Sequence, residues 1–233
     1  MRCIRIEAER QQEVVKMNTR KHDTRWMVGV AMMAAIIIVL ANTPLGLIPL
    51  PIIKATTTHI PVILGGILLG PLAGGILGGV FGICSMINNT FAPAVLSFAF
   101  SPVIAANNTG AAGALKALWI ALGCRVLIGV VSGWLWIGLK KLNVTDYAAL
   151  PVVGFVGAMT NTVCVMGSIY FLLRPEYAQA MGVATDAVFG LVMGVITGSS
   201  VLEAIVALVL VSAIGKVLLH VPYLRTGVQA SKN

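Results

Sequence analysis

The run HIPVILGGILLGPLAGGILGGVFGICS, residues 59–85, carries no Asp, Glu, Lys or Arg. A membrane-spanning α-helix needs about 20 mostly apolar residues, so this stretch is too long for a single upright helix. Proline inside a helix removes a backbone hydrogen bond and clashes with the preceding turn. GPLAGG (residues 70–75) therefore divides the run. The pattern predicts a short second span, a tight turn at Gly70-Pro71, and a third span to about Ile87. Gly74, Gly75, Gly78, Gly79 and Gly82 stud that third span. A spacing of four stacks small residues on one helix face and lets another helix come close.

The surroundings agree with a membrane chain. Of 233 residues, 58% are hydrophobic and 10% charged, and the mean hydropathy is +0.95. A soluble domain carries roughly 25% charged residues; this chain could not cover a soluble surface. Further spans are expected from Trp26 to Asn42, from Leu115 to Leu139, from Leu150 to Leu173 and from about Val188 to Leu219. The last is too long for one crossing, so part of it is expected to be a preceding loop or a tilted extension. TPLGLIPLPIIKATTTH (residues 43–59) has three prolines and a polar run, which predicts a structured loop. NNTFAPAVLSFAFSPVIAANNTGAAG (residues 88–113) is expected to be a second long, uncharged loop. The expected fold is an all-α bundle of six transmembrane helices. Residues 26–222 form one transmembrane domain between a polar tail at 1–25 and a second tail at 223–233.

Charge sets the expected orientation. The net charge is +8, but the basic residues sit at the ends of apolar runs, as the positive-inside rule requires; a nucleic-acid partner is rejected. With the N-terminus inside, Arg20, Lys21, Arg25, Lys140, Lys141, Arg225 and Lys232 fall in cytoplasmic segments, and Lys54, Lys116 and Arg174 fall outside. Both termini are then cytoplasmic and the two long loops extracellular. Residues 1–16 lack an apolar core, so no signal peptide is expected, and Met17 looks like a natural start. Cys84, Cys124 and Cys164 lie in apolar runs and no CxxC occurs; they read as small buried hydrophobes rather than a metal site or disulfide.

Candidate chemistry is sparse. Ionisable residues within spans are costly and usually functional. Arg125 lies in the fourth span and Glu203 in the sixth. They either pair and lock the bundle, or Arg125 meets an anionic substrate; Glu203 reads as structural or subunit-facing. Lys54, Thr57 and His59 cluster in the first loop, where lysine could meet a carboxylate or phosphate and threonine offers a hydroxyl. Asn88 and Asn89 stand at the expected end of the third span, to cap the helix or orient a ligand. Asn161 lies within the fifth span, where an unsatisfied amide is expensive; it bonds a neighbouring helix or faces a cavity. Ala31 and Ala35, four apart, give the first span a small-residue face. There is no HExxH helix, no GxSxG elbow and no Walker A loop, since Gly215-Lys216 lacks the preceding glycine and the Ser/Thr. No enzymatic activity, catalytic residue, metal or cofactor is expected, and any ATP-driven step needs another subunit.

These residues resemble a known family: the substrate-binding S-components of energy-coupling factor (ECF) transporters, over roughly residues 26–219. Ala31-x-x-x-Ala35 matches that family's small-residue motif for its scaffold subunit. Residues 59–85 are similar to its spaced pattern of proline and glycines. KATTTHIPV (residues 54–62) and SMINNTFAPAVLSFAFSP (residues 85–102) look most like the pantothenate type. The riboflavin type usually has an acidic stretch ahead of the equivalent proline, where Lys54 and His59 stand here. The resemblance implies a vitamin-binding subunit in the bacterial cytoplasmic membrane, docking on a membrane scaffold subunit and two ATPases. It implies binding from outside, followed by toppling in the bilayer to release the vitamin inside.

The alternatives are another vitamin, such as riboflavin or folate, or a stand-alone secondary transporter. The latter is expected to show inverted repeats and ion-coupling carboxylates; no internal repeat is visible. From the Ala31 face, Ala31→Trp is expected to abolish uptake in vesicles while leaving ligand binding intact. Survival of both, or joint loss of both, would remove this face from docking.

Overall fold

A computed structural model of the chain describes residues 24–43, 46–49 and 54–220. Most of the expected N-terminal tail, the start at Met17 and the whole of the tail at 223–233 lie outside the described residues.

The chain opens with α1 (Thr24–Ala41). Two short antiparallel strands follow, β1 (Leu47–Pro49) and β2 (Lys54–Thr56), with Ile48 opposite Ala55. The described part of the first loop is thus structured. The long apolar run then splits into α2 (His59–Leu69) and α3 (Pro71–Phe91). Gly70 takes φ 93° between them, a conformation open mainly to glycine, and Pro71 starts the next helix where its missing N–H costs nothing.

Beyond α3 the structure corrects the expected loop at 88–113. α3 runs through Asn88 and Asn89 to Phe91, and two more helices follow, α4 (Ser97–Phe100) and α5 (Pro102–Leu118). Ser101 accepts a hydrogen bond from the Ile104 N–H and Pro102 opens the helix, a local start signal. Gly110, at φ 71°, kinks α5. α5 continues through a π-helical turn (Trp119–Gly123) into α6 (Cys124–Lys141). α7 (Asp146–Leu172) follows, then α8 (Arg174–Met181). After a 3₁₀ turn come α9 (Val188–Gly194), a second π-helical turn (Val195–Ser199) and α10 (Ser200–Leu219). The long sixth run is therefore one interrupted helix without a loop.

Among the described residues, five helical stretches are long and apolar enough to cross a membrane: Thr24–Ala41, Pro71–Phe91, Pro102–Lys141, Asp146–Leu172 and Thr185–Leu219. The expected second span is the 11-residue α2. At 1.5 Å per residue it is about 16 Å long, half the roughly 30 Å of a hydrocarbon core. Every residue of α2 is buried; it is the central post of the bundle.

α3 and α6 pack backbone to backbone. A Cβ on Gly74 or Gly78 would strike the carbonyl oxygens of Gly129 and Arg125 respectively, and one on Gly82 would lie 2.7 Å from the Ala121 oxygen. These glycines are four apart, the spacing read from the sequence. Gly79, one position round, has open space beside it. α1 is held more lightly, with 17% of its residues buried. Gly29, Met33 and Ile37 face the bundle. Trp26 Nε1 donates to the Leu69 carbonyl at 3.0 Å, serving an orphan acceptor where α2 ends. Ala31 and Ala35 lie on the exposed side.

Overpacking costs typically 1–3 kcal/mol, and here the obstacle is backbone that cannot rotate away. Gly78→Val is expected to lower the thermal midpoint in detergent by several degrees or abolish folding. Gly79→Val is expected to leave it within about a degree; fluorescence-detected melting of the two variants checks the pair.

Candidate functional site

A polar concavity lies where the ends of α1 and α3 meet the starts of α6 and α10. It is a cavity of about 390 Å³ lined by Phe81, Ser85, Asn88 and Asn89 of α3, Phe100 of α4, Arg125 of α6, Asn161 and Thr162 of α7, and Ser199, Ser200 and Glu203 of the last helix. Leu40, Ala41, Gly46 and Thr58 close it beside the first loop. Its size suits a small molecule, and apolar walls with a few convergent polar groups are the usual make-up of a ligand pocket.

Arg125 anchors the site. Its side chain is 7% exposed. One terminal nitrogen donates to the Ile120 and Ala121 carbonyls at 3.1 and 3.3 Å, and the other donates to Ser85 Oγ at 2.9 Å. The widened turn at Trp119–Gly123 disturbs the regular helical ladder, and the guanidinium takes the carbonyls that the turn presents. The rings of Phe81 and Phe100 flank it, each centroid 4.9 Å from the guanidinium carbon. Among the described residues it meets no carboxylate, and its Nε is buried without a hydrogen-bond partner. The expectation that Arg125 and Glu203 pair is therefore corrected. The two reach the cavity from different helices: α6 lies chiefly against α3, α7 and α2, and α10 chiefly against α7.

The asparagines divide their labour. Asn88 Nδ2 donates to the Ala41 carbonyl at 2.7 Å, tying α3 to the end of α1. Asn89 Nδ2 donates to the Ser85 carbonyl at 2.8 Å, and Asn89 Oδ1 accepts from Ser97 Oγ at 2.9 Å. Ser97 Oγ in turn accepts from the Ala94 N–H at 2.8 Å. A polar chain thus runs from Arg125 through Ser85 and Asn89 to the α3–α4 connection. Neither asparagine terminates α3, which corrects the capping expectation. Among the described residues, none donates a hydrogen bond to the buried Asn161 Oδ1.

The first-loop candidates divide. Thr57 lines a separate apolar groove among α1, α2 and α10, while its neighbour Thr58 lines the cavity. His59 is 1% exposed and stands behind the wall, Nδ1 3.8 Å from Glu203 Oε1. Lys54 is paired with Pro49 in the two-stranded ribbon; its side chain lies outside the described residues. Glu203, with its side chain 17% exposed, lines the cavity.

Several wall residues escaped the sequence reading. Phe81, Ser85 and Asn89 follow one another at intervals of four, so helical periodicity from Asn89 back along α3 reaches them. Ser199 and Ser200 precede Glu203 by four and three residues, the same signal. Their hydroxyls donate to the Val195 carbonyl at 3.2 and 2.9 Å across the second widened turn.

Comparison with known proteins agrees with this architecture. The chain is 32% identical over 169 residues to the pantothenic acid transporter PanT of Lactococcus lactis subsp. cremoris (strain MG1363), a match covering 71% of this chain and 78% of that protein. Residues 25–215 match the family described as "ECF transporter, substrate-specific component". A multi-pass apolar helical protein, matched along most of its length by that family, the chain belongs to the substrate-specific components of ECF transporters.

Proposed function

We propose that the chain binds pantothenate in the Arg125 cavity and hands it to the cytoplasm together with a separate energising module. The observation that carries the ligand is Arg125: a buried guanidinium whose partners are carbonyls, a hydroxyl and two aromatic faces. A buried cation without a counter-charge is costly. An entering carboxylate supplies the charge, and a guanidinium holds it with short charge-assisted hydrogen bonds. The likeness to a pantothenic acid transporter supports the same ligand. Pantothenate carries one carboxylate, an amide and two hydroxyls. Asn161 Oδ1, buried without a donor, suits the amide N–H. Asn88 and Asn89 support the wall, and Lys54, Thr57 and His59 shape or back the first loop over the cavity.

Family membership implies a partner, the ECF energising module, and a small-molecule substrate. The fuller assembly, a membrane scaffold subunit with two ATPases, is part of the proposal, with Ala31 and Ala35 on the exposed side of α1 as its contact. The proposed setting is the bacterial cytoplasmic membrane, with α2 as the sixth, short span and both termini inside. Lys140, Lys141 and Lys216 lie in the last turns of α6 and α10, at the far end from the cavity, which supports an outward-facing cavity.

Calorimetric titration of the purified chain in detergent is expected to give submicromolar pantothenate binding, with riboflavin, folate, thiamine and biotin silent. Tight binding of another vitamin instead would discard the substrate and keep the family. Hydrogen bonds to charged groups are worth about 1.5–3 kcal/mol, so Arg125→Gln is expected to weaken pantothenate at least tenfold. The same variant should lose little for pantothenol, which has an alcohol in place of the carboxylate. An equal loss for both ligands would place the carboxylate elsewhere.

A further inference from the structure

We propose that Glu203 selects the other end of the ligand: it accepts hydrogen bonds from a neutral, hydroxylated tail and excludes tails that carry a second negative charge. The inference rests on the reading that Arg125 takes a carboxylate.

Glu203 enters the cavity from α10, and Arg125 enters from α6. Asn161 and Thr162 of α7, which packs on both helices, line the wall between them. Arg125 and Glu203 make no ion pair with each other, so each can address a different part of a bound molecule. The cavity is thus electrically polar: a guanidinium enters it from α6 and a carboxyl group from α10. A ligand that fits it has its anionic group at the Arg125 wall and hydrogen-bond donors at the Glu203 wall. A carboxylate accepts hydroxyl hydrogen bonds and donates none. A phosphate monoester brings about −1.5 to −2 charges, and beside Glu203 in a partly desolvated cavity like charges repel strongly. His59, 3.8 Å from Glu203, stands outside the cavity lining.

The chemical consequence is discrimination between a free hydroxy-acid vitamin and its phosphorylated product.

The test is calorimetry on the purified full chain with pantothenate and with pantothenate phosphorylated on its terminal hydroxyl. Wild type is expected to bind the phosphorylated form at least a hundredfold more weakly. Glu203→Gln is expected to weaken pantothenate roughly ten- to hundredfold, the loss of a charged acceptor, and to shrink the discrimination ratio at least fivefold. Glu203→Asp, which keeps the charge, should hold the ratio. Wild type that binds both ligands equally overturns the inference even if no variant folds. So does a ratio that Glu203→Gln changes less than fivefold. Wild type that binds no pantothenate overturns the substrate reading instead, so the two failures are distinct.

Discussion

The close approach of α3 to α6 is the constraint on which the site depends. Gly74, Gly78 and Gly82 let the backbone of α3 rest on the carbonyls of Gly129, Arg125 and Ala121. In a bilayer, helices gain little from burying apolar surface against each other, so tight packing through small residues has to supply the association. The same contact brings Ser85 to Arg125 and Phe81 over its guanidinium. One stripe of glycines therefore holds the bundle together and builds the cation site at its end.

The cavity walls rely on departures from regular helix. Both π-helical turns, Trp119–Gly123 and Val195–Ser199, lie at cavity level. Backbone carbonyls freed inside a membrane must find donors. At the first turn the donor is Arg125; at the second it is the pair of hydroxyls from Ser199 and Ser200. These bonds fix the guanidinium at one turn and Ser199 and Ser200 at the other. Among the described residues, Arg125 Nε and Asn161 Oδ1 stay buried without hydrogen-bond partners.

The rigid and loosely held parts are segregated. α2 is buried along its whole length, whereas α1 touches the bundle along Gly29, Met33 and Ile37 and is pinned near its two ends by Trp26 and Asn88. Beyond Arg25 its outer face is apolar, with Ala31 and Ala35 among exposed side chains such as Met27, Met32 and Ile36. Such a face can meet another membrane helix without exposing unpaired charge to lipid.

Composition and hydropathy alone established a polytopic helical membrane protein, because so few charges leave the bilayer as the only adequate solvent. Gly70-Pro71 likewise marked a break that covalent geometry enforces, and the four-residue glycine spacing marked a packing face. Arg125 stood out because a charge within an apolar run is expensive wherever it faces. Tertiary structure decided what composition could not. Helices apolar on nearly every side carry little record of their rotation, so packing alone set Glu203 toward the cavity and separated Thr57 from Thr58. The helices at 97–118 were hidden because their small and polar residues resemble a loop until neighbours satisfy them. The π-helical turns left no pattern in residue type, since they arise from the fit of one helix against another.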